Sequence, residues 1–267
     1  MRDLTLTLVQ ARQAWEDKEA NLRRYDTLLA GLGPTDLILL PEMFHTGFSS
    51  AADRLADPWP EGPGLAWLRG TAARTGAAVY TSMMARADEH ARNRGVFVEP
   101  DGTVHVYDKR KTFGLAGEDR IFTAGDRETI VAFRGWRIQL QICYDLRFPE
   151  IVRNRLEPDG TPAYDLLLYV ANWPARRALH WHTLLPARAI ENQCWVAAVN
   201  RVGEDGNGLA YAGDSVTIDA LGQAGWCAEH EEVVVTRTLS RAALEQTRAA
   251  LPFLKDALDS RAPRAAR

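Results

Sequence analysis

Three side chains that together suit nucleophilic catalysis each follow a strand-like segment of this sequence. Cys143 comes directly after the apolar run 137–142, Glu42 after the run 36–41, and Lys109 after a third segment of the same kind. Residues at strand ends lie at the edge of a sheet, where side chains from several strands can meet in one pocket. A thiolate is a strong nucleophile toward a carbonyl carbon. We therefore take Cys143, Glu42 and Lys109 as candidate catalytic residues.

The chemistry of this set depends on the state of the thiol. Most free thiol is protonated at neutral pH, so Glu42 is the candidate base that takes the proton and later returns it to an amine leaving group. Lys109 and the backbone N–H of Tyr144 are candidate donors to the oxyanion, and losing one such donor typically costs ~100–1000-fold in rate. A buried core cysteine is the alternative interpretation of Cys143 alone, but the matching contexts of Glu42 and Lys109 favour a nucleophile.

Strand-like and helix-like segments alternate along the whole chain, which predicts sheets covered by helices in a layered α/β sandwich. Continuously apolar strands such as 37–40 and 165–170 should be buried on both faces, whereas 103–107 and 213–219 should be half exposed. The predicted helices cover 17–32, 64–75, 147–155 and 177–192, and a last one begins after Ser240 as N-cap. The predicted strands cover 4–9, 37–40, 78–84, 93–99, 103–107, 137–142, 165–171, 195–200, 213–219 and 232–238.

Length and composition favour one catalytic domain over residues 1–250, followed by a C-terminal tail at 251–267 that is mobile or docks on a partner subunit. The net charge of −3 and the lack of a basic track argue against nucleic acid as a partner. No apolar stretch is long enough to span a membrane. Three cysteines without paired spacing indicate a reducing compartment, so we expect a cytoplasmic protein.

The order of short motifs resembles the nitrilase, or carbon–nitrogen hydrolase, superfamily. Its three signature segments are matched by Pro41-Glu42-Met43-Phe44, Tyr107-Asp108-Lys109-Arg110 and Cys143-Tyr144-Asp145-Leu146-Arg147-Phe148-Pro149-Glu150. The resemblance continues through 93–94, 117–118, 172–174 and 187–193. It implies a four-layer α-β-β-α sandwich in a single domain, a homodimer formed through helices, no cofactor and no metal. It also implies that Glu118 lies beside the catalytic residues and orients the lysine or the substrate.

Within the superfamily, the segments 169–174, 200–208 and 213–215 look most like the bacterial ω-amidase branch. That resemblance implies hydrolysis of the ω-amide of short 2-oxo dicarboxylic acid monoamides, such as 2-oxoglutaramate and 2-oxosuccinamate, to the acid and ammonia through a Cys143 thioester. Two alternatives stay open. One is another small-amide amidase or N-carbamoyl hydrolase on the same Glu-Lys-Cys scaffold, and the other is a non-catalytic binding protein that retains the fold.

A substrate of that class carries a carboxylate, which requires a cation at the far end of the pocket. The sequence does not choose among the available cations, and two aromatic residues are candidates for an apolar wall. Arg147 is expected to pair with a nearby carboxylate that holds the turn after Cys143, with a supporting catalytic role as the alternative. Lys111-Thr112 stands where relatives have His-Leu, which adds a cation to the predicted pocket. The candidate substrate-binding residues are Phe44, Lys111, Trp173, Arg176, Arg177 and Arg201.

Overall fold

Two β-sheets pack face to face and carry the site at one edge. The computed structural model describes residues 2–87, 89–227 and 229–259. The first sheet contains β1 (Leu4–Gln10), β2 (Leu37–Leu39), β3 (Asp57–Pro58), β4 (Ala78–Ala87), β5 (His90–Val98), β6 (Val104–Asp108) and β15 (Val233–Leu239). Its strand order is β15-β1-β2-β4-β5-β6, with β3 paired to β4. The parallel strands β1, β2 and β4 form its centre.

The second sheet has the same build. It contains β7 (Ile130–Phe133), β8 (Trp136–Ile142), β9 (Leu166–Ala171), β10 (Trp195–Asn200), β13 (Val216–Ile218) and β14 (Ala224–Trp226). Its order is β14-β13-β10-β9-β8-β7, with β8, β9 and β10 parallel. A separate hairpin, β11 (Val202–Glu204) and β12 (Ala210–Ala212), projects from the end of β10.

Helices cover the outer faces of both sheets. The helices of the structure are α1 (Lys18–Leu28), α2 (Ala52–Leu55), α3 (Pro63–Thr75), α4 (Glu118–Ile121), α5 (Ala178–Asn192), α6 (Arg241–Ala250) and α7 (Phe253–Asp259), and the short α4 lies beside the cavity rather than on an outer face. Tyr25 of α1 and Leu68 of α3 pack on Val79 of the first sheet. On the other side, Trp181 and Leu185 of α5 belong to the hydrophobic cluster of the second sheet. The resulting α-β-β-α order confirms the predicted fold.

The strand pattern explains the layers. Leu4, Leu6 and Leu8 of β1 point into the cluster between the two sheets, while Val9 points to the outer cluster under the helices. This alternation is the two-residue period of a strand that is covered on both faces. As predicted, Ser240 caps α6, and its hydroxyl accepts a hydrogen bond from the N–H of Ala243.

The prediction of a helix over 147–155 is wrong. Two short 3₁₀ turns, Cys143–Arg147 and Pro149–Ile151, occupy the start of this region instead. Pro149 has no N–H to donate, and its ring disfavours the helical conformation of Phe148, whose φ and ψ are −117° and 86°. The chain after Cys143 is therefore a compact elbow rather than a regular helix.

The prediction that 213–219 is half exposed is also wrong. Val216–Ile218 is buried throughout, because Val216 and Ile218 belong to the hydrophobic cluster of the second sheet and α5 contacts this strand. The Leu221-Gly222 turn leads into β14, which the sequence did not predict because its Ala-Gly-Trp sequence has little β propensity. The predicted strand 232–238 is present as β15, but it returns to the first sheet and pairs antiparallel with β1.

The last described helix, α7, packs against the rest of the structure. Leu254 of α7 is only 4% exposed, and its N–H donates to the side chain of Gln193 at 3.2 Å. Residues 260–267 lie outside the described residues, so docking of the tail on a partner subunit stays a prediction. Within the described ranges, no helix is both long and apolar enough to cross a membrane.

Candidate active site

Glu42 lies fully buried just beyond β2, at the edge of the first sheet. Its Oε1 accepts hydrogen bonds from Lys109 Nζ and Asn93 Nδ2, both at 2.8 Å. Its Oε2 accepts the backbone N–H of Asn172 at 2.9 Å, across from the second sheet. These bonds orient the carboxylate, and the bond from Asn172 ties the two sheets together at this point.

Lys109 follows β6 and is 2% exposed. Its ammonium lies between two carboxylates, 2.8 Å from Glu42 Oε1 and 2.9 Å from Glu118 Oε2. Burial alone would lower the pKa of the ammonium, but the charges of Glu118 and Glu42 outweigh burial and raise that pKa above its ordinary value. Lys109 therefore stays charged, and it is held in place from two sides.

Glu118 is the first residue of α4 and is 1% exposed. Besides the lysine, it accepts the backbone N–H of Phe113 at 2.6 Å and Asn93 Nδ2 at 3.0 Å. Asn93 thus bridges the two glutamates. Asn93 is part of the segment 93–94 that matches the superfamily motifs, but no role was predicted for it from the sequence.

Cys143 lies at the end of β8 with φ of 42°, in the left-handed region that non-glycine residues rarely adopt. Such a conformation typically costs about 1–3 kcal/mol and is concentrated at functional sites. The thiol sulfur lies 3.9 Å from the backbone oxygen of Asn172. Burial raises the pKa of this thiol well above its ordinary value, the charge of Glu42 raises it further, and Lys109 acts in the opposite direction. The resting thiol is therefore protonated, and its activation needs a base.

A cavity of about 410 Å³ opens above these groups. This volume suits a small metabolite. Cys143, Lys109 and Glu118 are part of its lining, and aromatic side chains form much of the remaining wall. The aromatic lining residues are Phe48, Phe113, Phe122, Tyr144, Trp173 and Tyr211. The arrangement can expose a carbonyl carbon to the thiol, with apolar walls around the rest of a small substrate.

Three arginines also line the cavity, namely Arg147, Arg176 and Arg177. Among the residues that the structure describes, no carboxylate lies within ion-pair distance of any of them. Arg177 stacks over the ring of Phe113 at 5.2 Å. Burial, together with repulsion from Arg176 and Arg147, lowers the pKa of Arg177. An anion bound here would relieve that repulsion.

Comparisons with known proteins agree with this geometry. The model of the carbon–nitrogen hydrolase family matches residues 5–249. The chain belongs to this family. It is 50% identical over 223 residues to omega-amidase YafV of Yersinia enterocolitica, covering 84% of each chain. It is 34% identical over 251 residues to 2-oxoglutaramate amidase of Paenarthrobacter nicotinovorans, covering 89% of this chain and 83% of the relative.

A solved member of the superfamily superposes on nearly the whole carbon–nitrogen hydrolase chain. XC1258 from Xanthomonas campestris, a CN-hydrolase superfamily protein with an arsenic adduct in its active site, has a TM-score of 0.93 and 48% identity. The match covers 96% of this chain and 97% of XC1258. The superfamily resemblance of the motifs is thereby confirmed.

Three predicted pocket residues of this carbon–nitrogen hydrolase lie outside the lining of the cavity. Phe44 is fully buried on the helix side of the first sheet, where it stacks on His45 with ring centroids 4.6 Å apart. Lys111 reaches outward to Glu150 at 3.6 Å. Arg201 lies under Tyr211, 4.7 Å from the ring centroid, and donates to backbone oxygens including that of Gln13.

Arg147 has a different partner from the predicted carboxylate. Its guanidinium lies 3.1 Å from His180 Nδ1 and stacks over Trp173 at 4.6 Å. His182, two residues along α5, instead reaches Asp214 at 3.1 Å. In the described part of the chain, no three His, Cys, Asp or Glu side chains are arranged to hold a metal ion.

Several lining residues were not predicted because they come from loops that fold back over the cavity. Asp205, Leu209 and Tyr211 belong to the β11–β12 hairpin, where the Tyr211 hydroxyl donates to Asp205 at 2.9 Å. Phe48 comes from the loop after Glu42, and its ring lies 5.5 Å from the Lys109 ammonium. The turn-rich sequence 205–208 indicates a loop, but it does not indicate where the loop lies.

Proposed function

We propose that this carbon–nitrogen hydrolase cleaves the ω-amide of short 2-oxo dicarboxylic acid monoamides, such as 2-oxoglutaramate and 2-oxosuccinamate. The products are the dicarboxylic acid and ammonia. One observation carries the proposal: a Glu42–Lys109–Cys143 set lies below a cavity whose lining includes guanidinium groups without a carboxylate partner. The omega-amidase and 2-oxoglutaramate amidase relatives support the same substrate class.

The first half-reaction begins with a protonated thiol, because burial and the Glu42 charge disfavour the thiolate. Glu42 takes the thiol proton as Cys143 Sγ bonds to the amide carbon. Lys109 and the backbone N–H of Tyr144 stabilise the oxyanion of the tetrahedral intermediate. The proton on Glu42 then passes to the amide nitrogen, the carbon–nitrogen bond breaks, and ammonia leaves a Cys143 thioester.

The second half-reaction uses the same groups on water. Glu42 takes a proton from a water molecule that attacks the thioester carbonyl, and the resulting intermediate expels Cys143 sulfur, which recovers the proton. Glu118 keeps the lysine charged and oriented through its bonds at 2.9 and 3.0 Å. We therefore assign Glu118 to positioning and Glu42 to both proton transfers.

The other end of the substrate determines specificity. Its α-carboxylate binds to the guanidinium groups of Arg177, Arg176 and Arg147, where an anion offsets the repulsion of Arg177 by the other two. Trp173 and Phe113 supply an apolar wall for the short carbon chain. A neutral small amide or a carbamoyl compound without a carboxylate would leave the guanidinium groups unpaired, which favours the oxo-acid amides over those alternatives.

The direct test is ammonia release from 2-oxoglutaramate by the purified protein. Cys143→Ala should abolish release, and Cys227→Ala should retain it because Cys227 lies outside the cavity lining. Ammonia release that survives in Cys143→Ala contradicts the assigned nucleophile. If the wild type releases ammonia from neutral amides but not from 2-oxoglutaramate, the proposed substrate class is wrong. If it binds amides and releases no ammonia, the protein is a non-catalytic binding protein.

We further propose a cytoplasmic homodimer. The described cysteines are all unpaired, which is consistent with a reducing compartment. Leu179 and Ile190 of α5 are 76% and 46% exposed, so this outer helix offers apolar surface to a second copy. Light scattering coupled to size-exclusion chromatography should give twice the chain mass, and a chain mass at micromolar concentration would contradict the dimer.

A further inference from the structure

We propose that Asp145 is a positioning residue that holds the nucleophile strand and the lysine strand in register, and that it does so best as a carboxylate. The inference rests on the proposed function, because it concerns how Cys143 and Lys109 come to face one substrate. Asp145 lies two residues after Cys143 and is fully buried. The mechanism above gives it no chemical step.

The Asp145 carboxylate bonds to both of the chain segments that carry the reacting groups. Its Oδ2 accepts the backbone N–H of Ile142 at 3.0 Å, immediately before Cys143. Its Oδ1 accepts the backbone N–H of Lys111 at 2.9 Å, and Oδ2 also accepts the Tyr107 hydroxyl at 2.9 Å. Tyr107 and Lys111 lie two residues before and two residues after Lys109.

This bridge matters because the two reacting groups come from different sheets. Lys109 follows β6 of the first sheet and Cys143 follows β8 of the second, and no backbone ladder joins these strands. The distance between the ammonium and the thiol therefore depends on side-chain contacts between the sheets. A misplacement of about 1 Å can cost roughly 100-fold in rate.

Two donor-only backbone N–H groups and one phenol, which can donate or accept, face the Asp145 oxygens. An ionised carboxylate accepts all three, and it is a stronger acceptor than a protonated carboxyl. A protonated carboxyl keeps its contacts only if it donates to the Tyr107 oxygen and the phenol turns its hydrogen to Gln141 Oε1, 3.1 Å away. An asparagine at this position must turn its NH2 toward one of the two backbone N–H groups, and that bond is lost. The bridge between the two strands is therefore strongest when Asp145 carries its charge.

The surroundings place the loss of this charge in an observable pH range. Burial raises the pKa of Asp145 to about 6, although the bond from Ile142 and the charge of Lys109 lower it. Tyr107 lowers it as well through its hydrogen bond. The other titratable or charged groups near this carboxylate are Tyr80 of β4, Tyr169 of β9 and Arg188 of α5, which bonds the carbonyl of Leu146. Activity should therefore fall as pH decreases through about 6.

The decisive variant is Tyr107→Phe, which removes one donor and keeps both backbone bonds. Losing that donor should raise the pKa of Asp145, so the acid limb of kcat/KM should move upward by roughly one pH unit. Tyr169→Phe is the matched control, because the buried Tyr169 hydroxyl has no hydrogen-bond partner among the described residues. Its acid limb should stay at the wild-type pH.

Asp145→Asn gives the second readout. It should lower kcat for 2-oxoglutaramate by about 100-fold, while KM stays within about three-fold because the arginines are untouched. Alkylation of Cys143 by iodoacetamide should show the same shift of the acid limb in Tyr107→Phe without any amide substrate. An acid limb that Tyr107→Phe leaves in place, in both assays, overturns the proposal. Failure of the wild type to release ammonia refutes the proposed function, and the alkylation profile still tests Asp145.

Discussion

Replacing Arg177 by methionine removes a guanidinium from the cavity and retains much of the apolar stem that packs near Phe113. If the α-carboxylate of the substrate binds there, the variant loses one hydrogen-bonded charge pair. Such a bond contributes about 1.5–3 kcal/mol, which corresponds to a loss of about 10- to 150-fold in kcat/KM. The actual loss should fall toward the lower end, because Arg147 and Arg176 remain and share the carboxylate.

The assay compares two substrates of equal length. One is 2-oxoglutaramate, and the other is its neutral analogue in which a methyl group replaces the carboxylate, so that a single amide remains. Arg177→Met should lower kcat/KM for the anionic substrate by the predicted factor and change the neutral one by less than about three-fold. The difference should shrink at high salt because Arg177 is only half-buried.

Two results would refute this reasoning. Equal losses on both substrates would assign Arg177 to the chemistry or to the fold rather than to carboxylate recognition. No loss on either substrate would mean that the carboxylate binds elsewhere in the cavity.

The remaining predictions concern the thiol and the buried ion pairs. Iodoacetamide should alkylate Cys143 before Cys194 or Cys227, because Cys143 lines the cavity. Glu42→Gln should slow the alkylation of Cys143 about 100-fold or more, because it removes the base. Equal labelling of all three thiols by mass spectrometry would contradict the activation of Cys143. Lys109→Met leaves Glu42 and Glu118 buried without their cation, so urea denaturation should show a loss of about 3–5 kcal/mol. Adding Glu118→Gln to Lys109→Met should recover part of that loss of stability. A Lys109→Met variant as stable as the wild type would contradict the prediction.

The sequence predicted the three central residues because each one ends a recognisable strand. Glu42, Lys109 and Cys143 come after β2, β6 and β8, and the structure brings them together at one edge of the paired sheets. Patterns of two-residue alternation and apolar runs determine such strands locally. The conformation of the chain beyond a strand end is less predictable. Pro149 prevents the helix that the pattern of 147–155 favours, so the elbow after Cys143 was not predicted.

Two side chains next to the catalytic candidates lie outside the cavity lining for a different physical reason. Phe44 is two residues from Glu42, but Met43 has φ of 48°, and the chain reverses there so that Phe44 points toward the helices. Lys111 is two residues from Lys109, yet Asp145 holds its backbone N–H and its side chain turns outward. Proximity in sequence to a catalytic residue therefore did not predict proximity to the cavity. The direction of a loop side chain depends on contacts with segments far away in the chain.

The distribution of charge around the cavity accounts for both the orientation of the proposed substrate and the release of its product. At the floor, Glu42 and Glu118 share the single ammonium of Lys109, so a further anion there meets an excess of negative charge. At the cavity wall, the guanidinium groups lack carboxylate partners among the described residues. A monoamide has a neutral end for the floor and an anionic end for the arginines, which selects one orientation. Hydrolysis converts the neutral end into a second carboxylate directly above the two glutamates. The product then experiences repulsion that the substrate did not, and we expect this repulsion to favour its departure.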